Sequence, residues 1–294
     1  MFDRLCLYTP PLSTISSYYE MIDLASEYGI KQLETINVME LAVPDVVFAR
    51  KLRKYADSKG ISFPCVSAGI NLVGEDRTAV LEDAKKYIEI AAILGSPYFH
   101  HTIAFEFQDP QIIVENAPLY YQRGIEAVQT LYDYAKQYNV RTIYEDQGFL
   151  FNGVEGFHRF LSDVDRDVGV VADFGNIHFV DQSIEHFIQR FSDRIVHVHV
   201  KDYIITPSDL RKKQEDEYVS LNGNYLRDCP IGQGMVPTEK AFRLLGEARY
   251  TGSISLECPP FGSDELGVFS KNLAAVKTCI QSGANAKKCN HANY

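Results

Sequence analysis

The sequence predicts an α/β fold, a (β/α)8 barrel that forms a single domain and carries a long loop after its seventh strand. Eight short runs rich in Val, Ile, Tyr and Phe alternate with longer amphipathic stretches, the pattern of parallel strands joined by crossover helices. Eight such units in 294 residues match the ~250-residue scale of a closed barrel with a few insertions. A doubly wound open sheet is the competing architecture, but neither GxGxxG nor GxxxxGKS/T follows any strand, so the barrel is favoured.

The elements follow one another in strict alternation. We expect strands at 5–8, 32–36, 62–67, 98–103, 141–145, 169–173, 195–200 and 253–257. We expect helices between and after them at 18–29, 44–60, 79–95, 117–139, 153–164, 183–191, 237–250 and about 265–281. Three helical stretches end at a glycine and one at an asparagine, the residue types that favour the left-handed cap at a helix C-terminus.

Two segments depart from the repeat. Residues 204–228 (IITPSDLRKKQEDEYVSLNGNYLRD) are polar and punctuated by Pro, Gly and Asn, which predicts a long loop on the C-terminal face of the barrel. Loops of this length without secondary structure are usually functional lids or disordered. Residues 282–294 are small and polar, so we expect a barrel domain at 1–281 and a C-terminal tail at 282–294.

Composition limits the classes of partner. The 29 Lys and Arg against 39 Asp and Glu give a net charge of −10, which argues against nucleic acid or an anionic membrane as a partner. No run approaches the ~20 apolar residues that span a bilayer, and the six cysteines form no CxxC pair. We therefore expect a soluble, cytoplasmic protein with reduced cysteines and a small-molecule partner. The outer helices of a barrel also offer surfaces for a homo-oligomer.

Four of the predicted strands end abruptly in an ionisable side chain. These side chains are Glu145 in TIYEDQG, Asp173 in GVVADFGNIHF, His199 in IVHVHVKDY and Glu257 in GSISLECP. A barrel brings the carboxyl ends of its strands to one rim. Three carboxylates and one imidazole placed together would repel unless a cation lay between them. This donor set suits Mn²⁺ or Mg²⁺, with Co²⁺ or Zn²⁺ as competitors.

The same four residues, together with IGQG at 231–234, form a pattern that resembles the xylose-isomerase-like (β/α)8 superfamily of sugar-phosphate isomerases and epimerases. The resemblance spans nearly the whole chain. It implies that Glu145, Asp173, His199 and Glu257 bind one divalent metal, most commonly manganese.

The chain also departs from that pattern. Asn176 stands where many relatives carry a substrate-binding His, and Ile205 and Phe151 replace an Arg and a Glu of the ketose 3-epimerases, which weakens a 3-epimerase assignment. The apurinic endonuclease branch uses further zinc ligands. GQGMVP at 232–237 lacks the Asp-x-His of that branch, so DNA repair is disfavoured.

Six residues are predicted substrate contacts because they lie at strand ends or in the long loop. An amide can bond a sugar hydroxyl, a Lys in phase with His199 faces inward, and a basic loop could close over an anionic group. Of two consecutive histidines, one points into the barrel mouth and the other outward. The six are Glu34, His100, His101, Asn176, Lys201 and Arg227.

These residues predict a divalent-metal-dependent isomerase or epimerase of a sugar, keto sugar or polyol derivative. Glu145 and Glu257 would be its base and acid, moving a proton next to a metal-chelated carbonyl. A dehydratase of the inosose or dehydroshikimate type is an alternative, because the same acid could protonate a β-hydroxyl leaving group. A non-catalytic sugar-binding barrel is an alternative of another class.

Overall fold

The structure is a computed structural model that describes residues 4–104 and 110–290, and its strands alternate with helices along the chain. The strands are β1 (Leu5–Leu7), β2 (Gln32–Leu33), β3 (Cys65–Ala68), β4 (Tyr98–His101), β5 (Arg141–Glu145), β6 (Gly169–Asp173), β7 (Ile195–Val200), β8 (Asp202–Thr206), β9 (Tyr218–Val219), β10 (Tyr225–Cys229) and β11 (Ser253–Leu256). The α-helices are α1 (Tyr18–Glu27), α2 (Val46–Lys59), α3 (Arg77–Leu94), α4 (Pro110–Ala135), α5 (Val154–Val164), α6 (Ile184–Phe191), α7 (Thr238–Glu247) and α8 (Glu265–Asn290).

Eight strands form one parallel sheet in the order β2-β1-β11-β7-β6-β5-β4-β3. Parallel bridges from Gln32 to Ser62 and from Thr35 to Val66 join the two ends of this order. The backbone of Ser67 adds a hydrogen bond to Thr35 O at 2.7 Å. The sheet therefore closes into a (β/α)8 barrel, as the sequence predicts, and all eight predicted barrel strands are present.

Local sequence sets the helix ends. Ser17 caps α1 through a reciprocal capping box with Glu20, and Asp45 accepts two backbone N–H groups at the start of α2, so donors that the helices leave free are satisfied. Gly60 and Gly95 adopt the left-handed conformation after α2 and α3, with φ of 67° and 70°. That conformation is the one the glycines at these positions predict.

Residues 204–228 are not a loop throughout, in contrast to the sequence prediction. Parts of the segment form a three-stranded antiparallel sheet of order β8-β10-β9, in which Leu226 pairs with Ile205 on one side and Tyr218 on the other. Leu226 and Tyr203 pack on Phe179 as a separate buried cluster. The alternation of apolar residues is short and is interrupted by charges, but burial of this one face is sufficient to order the strands.

The turn of this small sheet is tied to the barrel. Asp181 accepts hydrogen bonds from Ser220 Oγ at 2.8 Å, Asn222 N at 2.8 Å and Asn224 Nδ2 at 2.7 Å. In the segment between β8 and β9, Arg211 forms a bidentate ion pair with Glu217. Strand β8 continues directly from the carboxyl end of β7, at the mouth of the barrel. We therefore call β8, β9 and β10 the mouth sheet.

Two helix boundaries differ from the sequence prediction. Helix α4 begins at Pro110 and holds Pro118 inside it. The sequence instead predicts a start at residue 117, which places Pro118 in the first turn, where proline is favoured. Helix α8 continues past residue 281 to Asn290. None of the helices in residues 4–104 and 110–290 is long and apolar enough to cross a membrane.

Candidate metal centre

Four ionisable side chains meet at the carboxyl ends of the strands, around one ring nitrogen of His199. Its Nδ1 lies 3.2 Å from Glu145 Oε2, and 3.9 Å from both Asp173 Oδ2 and Glu257 Oε2. Glu145 and Asp173 end β5 and β6, His199 lies in β7, and Glu257 follows β11. The structure therefore brings together all four residues that the sequence predicts as metal ligands.

The donor set of this cluster fits a divalent cation. Ligand atoms of Glu145, Asp173 and His199 lie within 4.8 Å of one another, and Glu257 lies on the open side with 26% of its side chain exposed. Burial raises the pKa of Asp173, with Lys201 opposing the rise and the two glutamates adding to it. Three carboxylates and one imidazole are donors that Mn²⁺, Mg²⁺ or Zn²⁺ accepts.

Lys201 brings a positive charge to the same carboxylates. Its Nζ lies 3.1 Å from Asp173 Oδ2 and donates to Glu257 Oε1 at 3.0 Å. Burial acts to lower the pKa of Lys201, but these carboxylates outweigh burial and raise it well above its ordinary value. Gly175 leaves room for this side chain, because a Cβ there would come within 2.6 Å of Lys201 Cγ. The ammonium thus belongs to the carboxylate cluster.

The sequence predicts Glu34 as a substrate contact, but its side chain lies inside the barrel, below the rim. The side chain is fully buried and accepts hydrogen bonds from His199 Nε2 at 3.1 Å, from His197 Nε2 at 2.7 Å, and from the hydroxyls of Ser67 and Ser255. A carboxylate has about four lone-pair sites, and the four donors use them. Burial would raise the pKa of Glu34, yet the two histidines hold it well below its ordinary value.

The consecutive histidines of β4 point to opposite faces, as alternation predicts. His100 bonds Ser67 Oγ through Nδ1 at 3.0 Å, and its Nε2 faces Glu145 Oε1 at 3.7 Å. His101 points outward, where its ring bonds Tyr144 Oη at 2.9 Å and the Thr102 carbonyl at 2.9 Å. Burial lowers the pKa of His100 to about 4, with Glu145 opposing. Burial also lowers the pKa of His101 to about 3. Only His100 faces the cluster.

Asn176 is fully buried in the turn after β6. Its backbone N–H and that of Gly175 donate to Asp173 Oδ1 at 2.7 and 2.8 Å, which orients that carboxylate. The Asn176 side-chain amide finds no hydrogen-bond partner among the residues that the structure describes, and neither do the carboxyl oxygens of the buried Asp146. Buried polar atoms are normally paired, so these unpaired atoms are exceptions among the buried polar groups that the structure describes.

Arg227 is not brought to the cluster. It lies in β10, and its guanidinium donates to Gln214 Oε1 at 3.3 Å in the mouth sheet. The next residue, Asp228, pairs in register with Tyr203. Burial raises the pKa of Asp228, with Lys201 opposing the rise and Glu257 adding to it. Side chains alternate along a strand, so Arg227 and Asp228 point to opposite faces of β10, and Asp228 is the one that faces the site.

Sequence reasoning missed several residues that support the cluster. Tyr8 stacks on His199 with ring centroids 4.7 Å apart and planes inclined by 24°, and Ser67 and Ser255 bond Glu34. All three lie at or near strand ends, which is the signal that would have found them. His197 is buried in the barrel interior.

The IGQG motif holds the start of the seventh crossover. Asp202 accepts hydrogen bonds from the backbone of Gly232 at 2.8 Å, Gly234 at 2.9 Å and Val236 at 3.0 Å. A Cβ on Gly234 would collide with this carboxylate. The motif therefore positions the strand end that carries Lys201 and contributes no ligand of its own.

The fold agrees with the comparisons. The family model described as xylose isomerase-like TIM barrel matches residues 22–279. The chain belongs to this family. No curated protein sequence matches it.

Solved structures show the same fold at low identity. A xylose isomerase domain protein from Planctomyces limnophilus superposes with a TM-score of 0.75 and 16% identity, over 97% of this chain and 99% of that one. The E. coli 3-keto-D-glucoside 4-epimerase superposes with a TM-score of 0.73 and 15% identity, over 94% and 99%. A xylose isomerase-like TIM barrel protein from Mycobacterium smegmatis, solved in complex with magnesium, gives 0.68 and 20%, over 92% and 89%.

Proposed function

We propose that this protein is a metal-dependent isomerase or epimerase that acts on a sugar, keto sugar or polyol derivative. Its metal is a single divalent cation, manganese, held by Glu145, Asp173, His199 and Glu257. The observation that carries the proposal is the convergence of three carboxylates within 3.9 Å of His199 Nδ1. Membership of the family and the similarity to a sugar epimerase support it.

The chemistry assigned to the centre is proton transfer next to a carbonyl. A bound divalent cation supplies a Lewis acid that polarises a carbonyl oxygen. Glu145 and Glu257 reach His199 from strands β5 and β11, so one carboxylate can take a proton from the carbon and the other can return one. Lys201 Nζ donates to Glu257 Oε1 at 3.0 Å, and this charge-assisted hydrogen bond holds that carboxylate in place.

The substrate class follows from the polar atoms around the cluster. His100 Nε2, the Asn176 amide and the Asp146 carboxyl are buried and have no hydrogen-bond partner within the described part of the chain. Adjacent hydroxyl groups of a sugar or polyol would satisfy them. We keep His100, Asn176 and Lys201 as proposed substrate contacts. Glu34, His101 and Arg227 are already engaged with protein groups.

Metal analysis combined with a substrate screen tests the proposal. Ketoses, 3-keto sugars and inososes are incubated with the protein in deuterated water, with chelator or with Mn²⁺. We expect an isomer or epimer that carries deuterium at one carbon, formed with Mn²⁺ and abolished by chelator. Loss of water from an inosose or dehydroshikimate would instead identify a dehydratase. Sugar binding by metal-free protein, without chelator-sensitive turnover, would identify a non-catalytic barrel.

A further inference from the structure

One buried carboxylate connects the histidines of the barrel interior. Glu34 Oε1 accepts from His199 Nε2 and Ser67 Oγ, and Glu34 Oε2 accepts from His197 Nε2 and Ser255 Oγ. Ser67 Oγ also lies 3.0 Å from His100 Nδ1. Glu34 and its four partners are all buried, so no solvent competes for these bonds.

The direction of each bond follows from the chemistry of the groups. An ionised carboxylate only accepts hydrogen bonds, so His199 must carry a hydrogen on Nε2. That leaves Nδ1, the nitrogen 3.2 Å from Glu145 Oε2, as the atom directed at the proposed ligands. A metal-bound histidine commonly donates its other ring N–H to a carboxylate, which fixes its orientation.

The hydrogen bond to Ser67 determines in the same way which ring nitrogen of His100 carries the hydrogen. Ser67 has a single hydroxyl hydrogen and gives it to Glu34, so its oxygen can only accept from His100 Nδ1. A neutral His100 that carries its hydrogen on Nδ1 has a free lone pair on Nε2. This nitrogen is buried, lies 3.7 Å from Glu145 Oε1, and has no hydrogen-bond partner among the described residues.

We infer that Glu34 is a positioning residue: its four accepted hydrogen bonds direct Nδ1 of His199 at the metal and, through Ser67, Nε2 of His100 at a substrate hydroxyl. The part that concerns His199 rests on the metal site of the proposed function. The part that concerns His100 does not need a metal. It makes His100 a hydrogen-bond acceptor, so the matching substrate atom is a hydroxyl and not a carbonyl oxygen.

Glu34→Gln is the most informative change, because an amide keeps the shape and loses one acceptor. In either orientation its NH₂ group meets His197 or His199, each of which now donates to the carboxylate. One of these two rings must then give up the hydrogen on its Nε2. We expect the affinity for Mn²⁺ to fall about 10–100-fold, the usual effect of losing such a partner.

The experiment combines ¹⁵N spectra of the histidine rings in the metal-free full-length protein with Mn²⁺ titration calorimetry. The wild type is expected to show His100 neutral with its hydrogen on Nδ1, and E34Q to show a changed ring for His197 or His199. Ser67→Ala is expected to change His100 alone and to leave Mn²⁺ affinity within about twofold. Tyr144→Phe removes a comparable buried bond, to His101, and is expected to change neither Mn²⁺ affinity nor the other rings.

Each result supports or overturns a separate statement. Unchanged spectra and unchanged Mn²⁺ affinity in E34Q would overturn the inference while the proposed function stood. A wild type that binds no metal but shows the expected ring hydrogens would overturn the proposed function and the metal part of the inference, and would support the part that concerns His100. If E34Q does not fold, the ring hydrogens of the wild type and S67A decide the matter.

Discussion

Replacing Lys201 by methionine should destabilise the metal-free protein and make its stability strongly dependent on a divalent cation. In the structure the Lys201 ammonium lies 3.1 Å from Asp173 and 3.0 Å from Glu257, and only 11% of its side chain is exposed. Methionine retains most of the length and removes the charge. The carboxylates then lose the ammonium that faces them, which is unfavourable in a buried site.

The size of the effect follows from burial. Removing one partner of a buried ion pair costs about 3–5 kcal/mol. Glu257 is 26% exposed, so water screens part of the loss and we expect a value near the lower limit, about 3 kcal/mol. For a large domain at roughly 2 °C per kcal/mol, the melting temperature of K201M should fall by about 6 °C in chelator.

Thermal unfolding at neutral pH, with chelator and with Mn²⁺, measures this effect. Manganese should restore most of the lost stability in K201M, because the cation takes over neutralisation of Asp173 and Glu257. Lys240→Met is the matched control, since Lys240 pairs with Glu185 but is 55% exposed. Its loss should cost less than about 1 kcal/mol and show no metal dependence. An unchanged melting temperature for K201M in chelator, or an equal fall with and without Mn²⁺, would refute this reasoning.

Three further predictions concern the same centre. Glu145→Gln and Glu257→Gln should each lower turnover of the identified substrate by about 10²-fold or more if they are the acid and base, and near-normal rates in steady-state assays would remove them from the mechanism. Burial opposes protonation of His199, but its carboxylate neighbours raise its pKa well above 6.5. In the metal-free protein, protonated His199 therefore contributes stability that is fully present below about pH 6.5. This contribution is lost as pH rises through the folded pKa. Below that folded pKa, Mn²⁺ binding must release about one proton and tighten with pH, and calorimetric heats independent of buffer ionisation would contradict this. Gly175→Ala places a Cβ 2.6 Å from the Lys201 side chain, so we expect a loss of about 1–3 kcal/mol in chemical denaturation; wild-type stability would show that the contact is relieved without strain.

The barrel and the cluster of ionisable residues at its rim are predictable because both depend on local patterns. The strands read as short apolar runs, and helix ends such as Gly60 and Gly95 are marked by residue type. Once the strands form a barrel, Asp173 and His199 must meet, because strand ends share one rim. The meeting of these two residues can therefore be predicted without knowledge of any side-chain contact.

Other features depend on partners that are distant in sequence. Glu34 reads as a rim residue from its strand, but its role is set by His197, 163 residues away, and Ser255, 221 residues away. The sequence predicts a loop in place of the mouth sheet because charged residues interrupt the alternation around Leu226. Its order comes from packing on Phe179 and from the bonds to Asp181, which no local pattern reports.

The mouth sheet is built apart from the proposed ligands. It has its own buried cluster, and β8 begins at Asp202, three residues after His199. Its inward residues Tyr203 and Asp228 border the site without belonging to the proposed ligand set. The sheet can therefore change in length or composition without moving the proposed ligands, so the residues that border the site and those proposed to bind the metal can vary independently.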